Sequence, residues 1–272
     1  MTQSTNGVQP PFTGDSRIPY KVLSNPAWLA MWPPRTSVRG VYFFRADFSY
    51  IPFRMIRSAF FIDGFNLYHA LKRLGSHYLK WVDLNALMGR LIAPKSETIV
   101  AIYYFSAYAH WLPDQWKRHQ EYVAALRYVG VVPVMGQFKN KDRWCNSCGA
   151  KWMGHEEKET DVNIALYLLN EAYRDSYDRA YIVSRDSDLK PAVEMVLTQF
   201  SNKEIVIVAP PELGHSNDLT LAAGNKRRIK RRQVQECLLP ALVVDPAGNV
   251  IATRPSKYDP PPAAQPMTSK SA

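Results

Sequence analysis

The stretch Ser58-Ala59-Phe60-Phe61-Ile62-Asp63-Gly64-Phe65-Asn66-Leu67-Tyr68 decides the fold of this chain. In it a short apolar run stops at a carboxylate, Asp63, turns on Gly64 and continues into a helical pattern. Glycine lets the backbone turn sharply and approach a ligand closely, and ligands of α/β sheets bind beyond the carboxyl ends of the strands. The stretch therefore predicts that Asp63 lies at a binding edge of a sheet. The alternative is that Asp63 serves only as a helix cap.

Three more short apolar runs follow and alternate with helical patterns. Continuous apolar runs are typical of parallel strands that are covered on both faces. A further strand is expected near 130–135, where Pro133 favours an edge or irregular position. We therefore predict an α/β fold with a mainly parallel sheet and helices on both faces. The predicted strands are 58–62, 99–105, 180–184 and 204–209, and the predicted helices are 66–74, 83–92, 114–129, 161–175 and 188–199.

The chain divides into three regions of different composition. Residues 1–57 contain two Pro-Pro pairs and are predicted to be an irregular extension. Residues 58–225 carry the strand and helix pattern of the main domain. Residues 226–272 begin with six basic residues in seven and then become Pro-rich and polar, and their last dozen residues are predicted to be disordered.

The overall composition is that of a soluble globular protein, with 46% hydrophobic and 21% charged residues. No apolar run approaches the roughly 20 residues that cross a bilayer, so no membrane partner is expected. The first residues lack a basic stretch followed by an apolar core, and we expect a cytoplasmic location. The net charge of +10 favours polyanionic partners, with nucleic acid first, or reflects no more than a basic soluble protein.

A second carboxylate, Asp161, falls on the core side of a predicted helix. It lies three and four residues before Ile164 and Ala165, which begin the apolar stripe of that helix. A carboxylate in such a place is costly unless it is paired, caps the helix or binds a metal. Lys158, which lies just upstream, is a candidate partner for Asp161 or for a substrate phosphate.

Two further carboxylates, Asp186 and Asp188, follow another predicted strand. Two acids this close repel one another, which raises a pKa or recruits a cation. Because the carboxyl ends of parallel strands meet at one edge, both can converge with Asp63, and Asp161 can reach the same edge. Asn66 adds a neutral hydrogen-bonding group. Hard oxygen ligands suit Mg²⁺ or Mn²⁺, so we predict a divalent metal site formed by the four aspartates.

Three motifs carry a resemblance to a known family: Ile62-Asp63-Gly64-Phe65-Asn66-Leu67, Glu157-Lys158-Glu159-Thr160-Asp161-Val162-Asn163 and Ser184-Arg185-Asp186-Ser187-Asp188-Leu189. They resemble the motifs of NYN domains, in the LabA-like branch of the PIN-like nuclease superfamily, from about Ser58 to Val208. The resemblance implies a Rossmann-like sheet and an acidic, metal-dependent ribonuclease site. The positions that match the family's site residues are Asp63, Asn66, Asp161, Asp186 and Asp188.

One departure from the family pattern is Arg185, where the family usually has glycine. An arginine there either contacts a phosphate or crowds the metal. The implied reaction is hydrolysis of RNA phosphodiester bonds, in which metal ions polarise a phosphoryl oxygen and generate hydroxide from water. Two alternatives stay open: a non-catalytic nucleic-acid-binding or regulatory NYN module, and a phosphatase or nucleotide hydrolase that uses the same carboxylates.

The pair Cys145-x-x-Cys148 resembles half of a zinc knuckle. With His155 it offers three ligands for a structural Zn²⁺, which normally has four. A redox pair and two unengaged thiols are the alternatives. The fourth zinc ligand is expected from Cys237, Glu156 or a partner chain.

The segment around these cysteines, 139–157, interleaves basic side chains with tryptophans. That combination is typical of proteins that bind single strands, and the expected partner is RNA, single-stranded or structured. The basic run at 226–232 is either a second such surface or a solvated basic helix. The residues predicted to contact RNA are Lys158, Arg185, Lys141, Arg143 and Trp144.

Overall fold

A computed structural model describes residues 54–262 of the chain. Most of the predicted N-terminal extension and nearly all of the predicted disordered tail lie outside this range. The strands are β1 (Ile56–Asp63), β2 (Glu97–Ala107), β3 (Val132–Trp144), β4 (Lys151–Lys158), β5 (Arg179–Val183), β6 (Glu204–Ala209), β7 (Asn225–Arg228), β8 (Leu242–Val244) and β9 (Val250–Thr253).

The α-helices are α1 (Gly64–Arg73), α2 (Leu84–Gly89), α3 (Pro113–Tyr128), α4 (Thr160–Tyr173), α5 (Lys190–Gln199), α6 (Asn217–Ala223) and α7 (Arg231–Glu236). Three short 3-10 helices span His77–Lys80, Ser187–Leu189 and Ser256–Tyr258. No helix within residues 54–262 has the length and apolarity to cross a membrane.

Seven strands form one sheet in the order β4-β3-β2-β1-β5-β6-β7. Every neighbouring pair is parallel except β3 and β4, which are antiparallel. The strands β8 and β9 form a separate antiparallel hairpin, and β9 contacts α3. The predicted α/β fold with a mainly parallel sheet is therefore confirmed.

The central strand β1 explains why its sequence is a continuous apolar run. Phe60 and Ile62 pack in the cluster that includes α1, α2 and α3, while Ala59 and Phe61 pack in the cluster that includes α4, α5 and α6. All four side chains are buried. Burial of each large apolar side chain contributes about 1.5–3 kcal/mol, so the part of β1 that is covered on both faces, from Ala59 to Ile62, is apolar and ends at Asp63.

The segment that contains Cys145 and Cys148 is a β-hairpin. Strand β3 pairs with β2 through Gly136 and with β4 from Gln137 onward. Pro133 therefore lies where β3 has a single neighbour, and its missing N–H costs no bond on the open side. The edge position predicted for Pro133 is confirmed, but the strand continues well beyond the predicted limit at 135.

The basic run at 226–232 is not a helix, so that alternative is wrong. Residues Asn225–Arg228 form the edge strand β7 beside β6, and α7 begins only at Arg231. Ile229, which lies within the run and directly follows β7, is buried in the core. Gly224 ends α6 with a φ of +74° and redirects the chain into the strand. Basic side chains on an edge strand also discourage pairing with another sheet.

Candidate active site

Asp63 is the last residue of β1 and is only 2% exposed. Its Oδ1 accepts a hydrogen bond from the backbone N–H of Asn66 at 2.9 Å, and its Oδ2 accepts from the Ser184 hydroxyl at 2.9 Å and from the Asn66 side-chain amide. Asp63 is thus the N-cap of α1 and also a buried carboxylate at the sheet edge. Burial raises the pKa of Asp63, and the hydrogen bonds oppose that rise.

Gly64 keeps this carboxylate at the edge because α1 begins directly against β2. A Cβ added to Gly64 would lie 2.5 Å from the carbonyl oxygen of Phe105 and 2.8 Å from the ring of Tyr104. Only glycine allows the helix to start at once after the strand without displacing β2. The sharp turn predicted at Gly64 is confirmed, and the group it approaches closely is the neighbouring strand; the predicted approach to a ligand stays a prediction.

Asp161 lies in the first turn of α4 but does not cap that helix. The carboxylate of Glu157 accepts the hydrogen bonds of the Thr160 backbone N–H, at 3.1 Å, and of the Thr160 hydroxyl. Asp161 is left half-buried. Its pKa is raised to about 6, first by burial and then by the negative charges of its neighbours Asp186, Asp63, Glu157 and Asp188.

Asp186 and Asp188 follow β5, where Asp186 caps the short 3-10 helix Ser187–Leu189 and Asp188 lies within it. The Asp186 carboxylate accepts a hydrogen bond from the backbone N–H of Asp188 at 3.0 Å, and the Asp186 N–H donates to the Ser184 hydroxyl at 3.1 Å. Ser184 therefore bridges two of the acids, because its hydroxyl also donates to Asp63. Asp188 is exposed, whereas Ser184 is fully buried.

Two residues of this site, Ser184 and Glu157, were not predicted to have a role. Ser184 directly follows β5, whose Val183 pairs with Ile62 of β1, so strand register places it beside Asp63. Glu157 precedes Thr160 by three residues, which is the reverse of the order in a capping box, so no helix-start signal marks it. The partner of Ser184 is known only once β1 and β5 are paired.

Among the residues that the structure describes, the four aspartates have no basic partner. Within residues 54–262, no lysine, arginine or histidine nitrogen lies within 4.0 Å of their carboxylates. Uncompensated carboxylate oxygens are the donors that Mg²⁺ and Mn²⁺ prefer, so the chemistry and charge of the cluster fit such an ion. In the same part of the chain, no three Asp, Glu, Cys or His side chains lie close enough together in this structure to bind one metal ion.

The basic residues predicted near the site lie apart from the aspartates. Lys158 lies 3.4 Å from Glu156, so the proposed Lys158–Asp161 pair is wrong. Arg185 is exposed, and its backbone does not adopt a positive φ, so the conformation here does not require the family's glycine.

The other predicted RNA contacts lie on the hairpin of β3 and β4. By register, Lys141, Arg143 and Lys158 share one face of the hairpin, and Trp144 lies on the other. The ammonium of Lys141 lies 2.9 Å from Glu156. Trp152 pairs with Arg143 and therefore lies on the same face as these basic residues, so that face carries both basic side chains and a tryptophan.

The structure brings Cys145 and Cys148 together at the tip of this hairpin but does not bring His155 to them. His155 lies four residues beyond Lys151, the residue that pairs with Trp144 next to the tip, which is roughly 13 Å along the strand. Its ring stacks on Trp111 with centroids 3.7 Å apart.

Beside the acidic edge, a cavity of about 270 Å³ opens between α1 and α3. The exposed rings of Tyr68 and Trp111 contribute to it, and the buried rings of Tyr104 and Tyr122 line its inner part. His119 also lines the cavity; burial lowers its pKa to about 4, and its Nε2 is buried without a hydrogen-bond partner. No motif in the sequence marks His119.

A mainly parallel seven-stranded sheet with helices on both faces is consistent with the PIN-like fold class. The chain belongs to the NYN domain family, whose pattern matches residues 57–226.

Two known proteins are similar to this chain. It is 25% identical over 226 residues to the 6-hydroxy-3-succinoylpyridine 3-monooxygenase HspA of Pseudomonas putida, across 69% of this chain and 72% of that protein. Among solved structures, it is similar to a protein of unknown function from Vibrio parahaemolyticus. That structure has a TM-score of 0.46 and 23% identity, and the match covers 68% of this chain and 98% of the other.

Proposed function

We propose that this protein is a metal-dependent ribonuclease of the LabA-like branch, which hydrolyses RNA phosphodiester bonds at the carboxyl edge of its sheet. The observation that carries the proposal is the meeting of Asp161 with acids of β1, of β4 and of the segment after β5; burial and these acids together raise the pKa of Asp161 to about 6. Such a perturbed carboxylate at the edge of a sheet is typical of a functional site. Membership of the NYN domain family supports a nuclease-like function.

Asp63, Asp161, Asp186 and Asp188 would hold the ion. Bound Mg²⁺ or Mn²⁺ supplies positive charge that polarises a phosphoryl oxygen and lowers the pKa of water.

The protein's own residues then have distinct tasks. Asn66 and Ser184 hold the carboxylate of Asp63 at the edge through their hydrogen bonds. Ser184 also fixes the backbone of Asp186. Asp188 is the exposed acid of the cluster and is free to orient a water molecule and accept its proton.

RNA would reach this site along the hairpin. Strand β4 leads directly into α4, which carries Asp161, so the basic hairpin face begins next to the acidic edge. Phosphates would be contacted by Lys158, Lys141, Arg143 and Arg185, and Trp144 would stack on a base.

The experiment compares labelled single-stranded and hairpin RNA incubated with Mn²⁺ and three proteins: the wild type, the Asp186→Asn/Asp188→Asn double variant and Asp114→Asn. Asp114 is an exposed aspartate of α3 and serves as the control. We expect the double variant to lose cleavage by about a hundredfold or more, and the control to retain it.

Three outcomes contradict the proposal. Equal cleavage by the wild type and the double variant identifies a contaminant. Binding of RNA without cleavage by the wild type supports the non-catalytic module. Turnover of mononucleotides but not of RNA supports a phosphatase or nucleotide hydrolase.

A second candidate function is binding of a small heteroaromatic compound, which the cavity beside the acidic edge favours. Its aromatic lining and the unpartnered Nε2 of His119 suit a planar ring with a polar edge. The relative from Pseudomonas putida is named for its action on a pyridine compound. Calorimetric titration with 6-hydroxy-3-succinoylpyridine tests this candidate. We expect a Kd below about 1 mM for the wild type and a higher Kd for Trp111→Ala and His119→Phe. Absence of binding to the wild type would reject this candidate function.

A further inference from the structure

The tip of the β3–β4 hairpin holds two cysteines in a closed turn. The backbone N–H of Cys145 donates to the carbonyl oxygen of Ala150 at 2.8 Å, and the N–H of Gly149 donates to the carbonyl oxygen of Cys145 at 2.8 Å. Gly149 closes the turn with a φ of +70°, which glycine adopts without strain. Both sulfurs are therefore held on one short, ordered turn at the end of a projecting hairpin.

The turn also directs hydrogen-bond donors at one of the two sulfurs. The backbone N–H groups of Cys148 and Ser147 point at the sulfur of Cys145. Zinc binds cysteine as the thiolate, and N–H groups directed at a sulfur are compatible with that form.

Within residues 54–262, no third ligand reaches the two cysteines. All six histidines and three cysteines of the sequence lie within the described residues. His155 stacks on Trp111, Cys237 is buried in the core, and the Glu156 carboxylate is paired with Lys141. Within residues 54–262, no group of three potential ligands converges at the tip or elsewhere. A structural zinc takes four ligands, and this turn supplies two.

We propose that Cys145 and Cys148 from two copies of this chain bind one Zn²⁺, which joins the two hairpins tip to tip. A two-fold axis through the ion supplies the four thiolates of a tetrahedral site from two identical pairs.

Two features of the surrounding surface fit a second copy as the occupant. Trp144 and Met153 lie on one face of the tip and are 66% and 58% exposed, and Trp152 on the other face is 51% exposed. Large apolar side chains so close together on a free surface are unusual. Arg143 and Lys151 flank the cysteines and would offset the double negative charge of a zinc bound to four thiolates.

The experiment measures zinc content and molar mass on the full-length protein, purified with a reductant and equilibrated with ZnCl₂. We expect one thiolate-bound zinc per two chains and a dimeric mass by light scattering. A strong chelator, Cys145→Ser or Cys148→Ser should each halve the mass, whereas Cys237→Ala should leave mass and zinc content unchanged. Substitution by Co²⁺ should produce the sulfur-to-cobalt charge-transfer absorption of a tetrathiolate site, which separates this site from metal at the aspartates.

Several results would overturn the proposal: zinc at one per chain in a monomer, no thiolate-bound metal, a Cys145–Cys148 disulfide under reducing conditions, or a dimer that survives loss of either cysteine. The proposal does not depend on the ribonuclease activity. Failure of RNA cleavage leaves the zinc measurement unaffected.

Discussion

The two edges of the parallel sheet carry the same kinds of side chains in opposite arrangements. At the amino edge, where the parallel strands begin, acidic side chains form ion pairs. Arg179 lies 2.6 Å from Glu97, and Arg57 lies 2.7 Å from Asp178. At the carboxyl edge the four site aspartates have no basic group within 4.0 Å among residues 54–262. The presence or absence of a basic partner therefore distinguishes an edge that stabilises the fold from an edge that is suited to bind a cation.

The pKa values follow this arrangement. Hydrogen bonds from Arg57 lower the pKa of Asp178 to about 2, whereas burial and neighbouring acids raise the pKa of Asp161 to about 6. A lowered carboxyl pKa stabilises the folded state at neutral pH, and a raised one destabilises it. The ion pairs at the amino edge therefore stabilise the folded state. The unpaired acids at the carboxyl edge destabilise it, and the same unpaired charge suits a bound cation.

The largest expected effect is at the amino edge. Glu97 is buried, accepts hydrogen bonds from Ser58 and Tyr181, and has its charge offset by Arg179. We expect Arg179→Ala to lower the free energy of unfolding by about 3–5 kcal/mol, because it leaves Glu97 buried and unpaired. Urea denaturation measures the loss. Arg174→Ala, at an exposed arginine 3.8 Å from Glu171, should lower the free energy of unfolding by no more than about 1 kcal/mol. Equal losses in Arg179→Ala and Arg174→Ala would contradict the stabilising role of the ion pair at Glu97.

The next effect is the pH dependence of the Asp178 pair. Because the folded pKa of Asp178 is about 2 and the unfolded value is 3.8, its stabilisation is fully present above pH 3.8 and is lost as the pH falls through 2. We expect Asp178→Asn to cost about 2 kcal/mol at pH 7 and progressively less below pH 4. Denaturation midpoints from pH 7 to pH 2 measure this, and a cost that does not change with pH would be inconsistent with the ion pair.

At the carboxyl edge, protons and metal compete for the same oxygens. Since the pKa of Asp161 is about 6, Mn²⁺ affinity should rise about tenfold per pH unit below pH 6 and level off above it. Calorimetric titration between pH 5 and pH 8 measures this profile. In Asp161→Asn the rise near pH 6 should disappear, and an unchanged profile in this variant would show that another group titrates.

The same raised pKa predicts a stabilising substitution. The Asp161 charge opposes folding in full above pH 6, and the penalty fades as the pH falls toward 4. Asp161→Asn should therefore raise the free energy of unfolding without metal, by about 1 kcal/mol at pH 7 once partial exposure is considered, while it abolishes RNA cleavage. Thermal melting in EDTA measures the gain. Asp114→Asn should change stability by less than about 0.5 kcal/mol, and a loss of stability in Asp161→Asn would be the contrary result.

The smallest expected effect on stability is at Arg185. The residue is exposed and has ordinary backbone geometry, so Arg185→Gly should change the free energy of unfolding by less than about 1 kcal/mol. If Arg185 contacts a phosphate, as we propose, the variant should bind RNA more weakly and lower the salt slope of binding by about 1. Faster cleavage by Arg185→Gly would instead favour crowding of the metal.

The parts of the fold that were predictable are those with a local signal. Burial on both faces of β1 demands a continuous apolar run, and Asp63 marks its end. Other parts of the fold and of the site depend on contacts between residues that are far apart in the sequence. The strand β7 was missed because all four of its residues are exposed and three are basic, and it is held by backbone pairing with β6. Ser184 and Asp63 are 121 residues apart and meet only when β1 and β5 pair.

The sequence by itself determined where the strands end in carboxylates, because the length of an apolar run and the polar residue after it are properties of neighbouring residues. Only the tertiary structure decided which acids have a cation within reach. Arg179 and Glu97 are 82 residues apart, and Arg57 and Asp178 are 121 apart. Coulomb energies depend on distance through space and on burial, and neither is written in the order of the residues. That is why one edge of the sheet is neutralised and the other is left acidic.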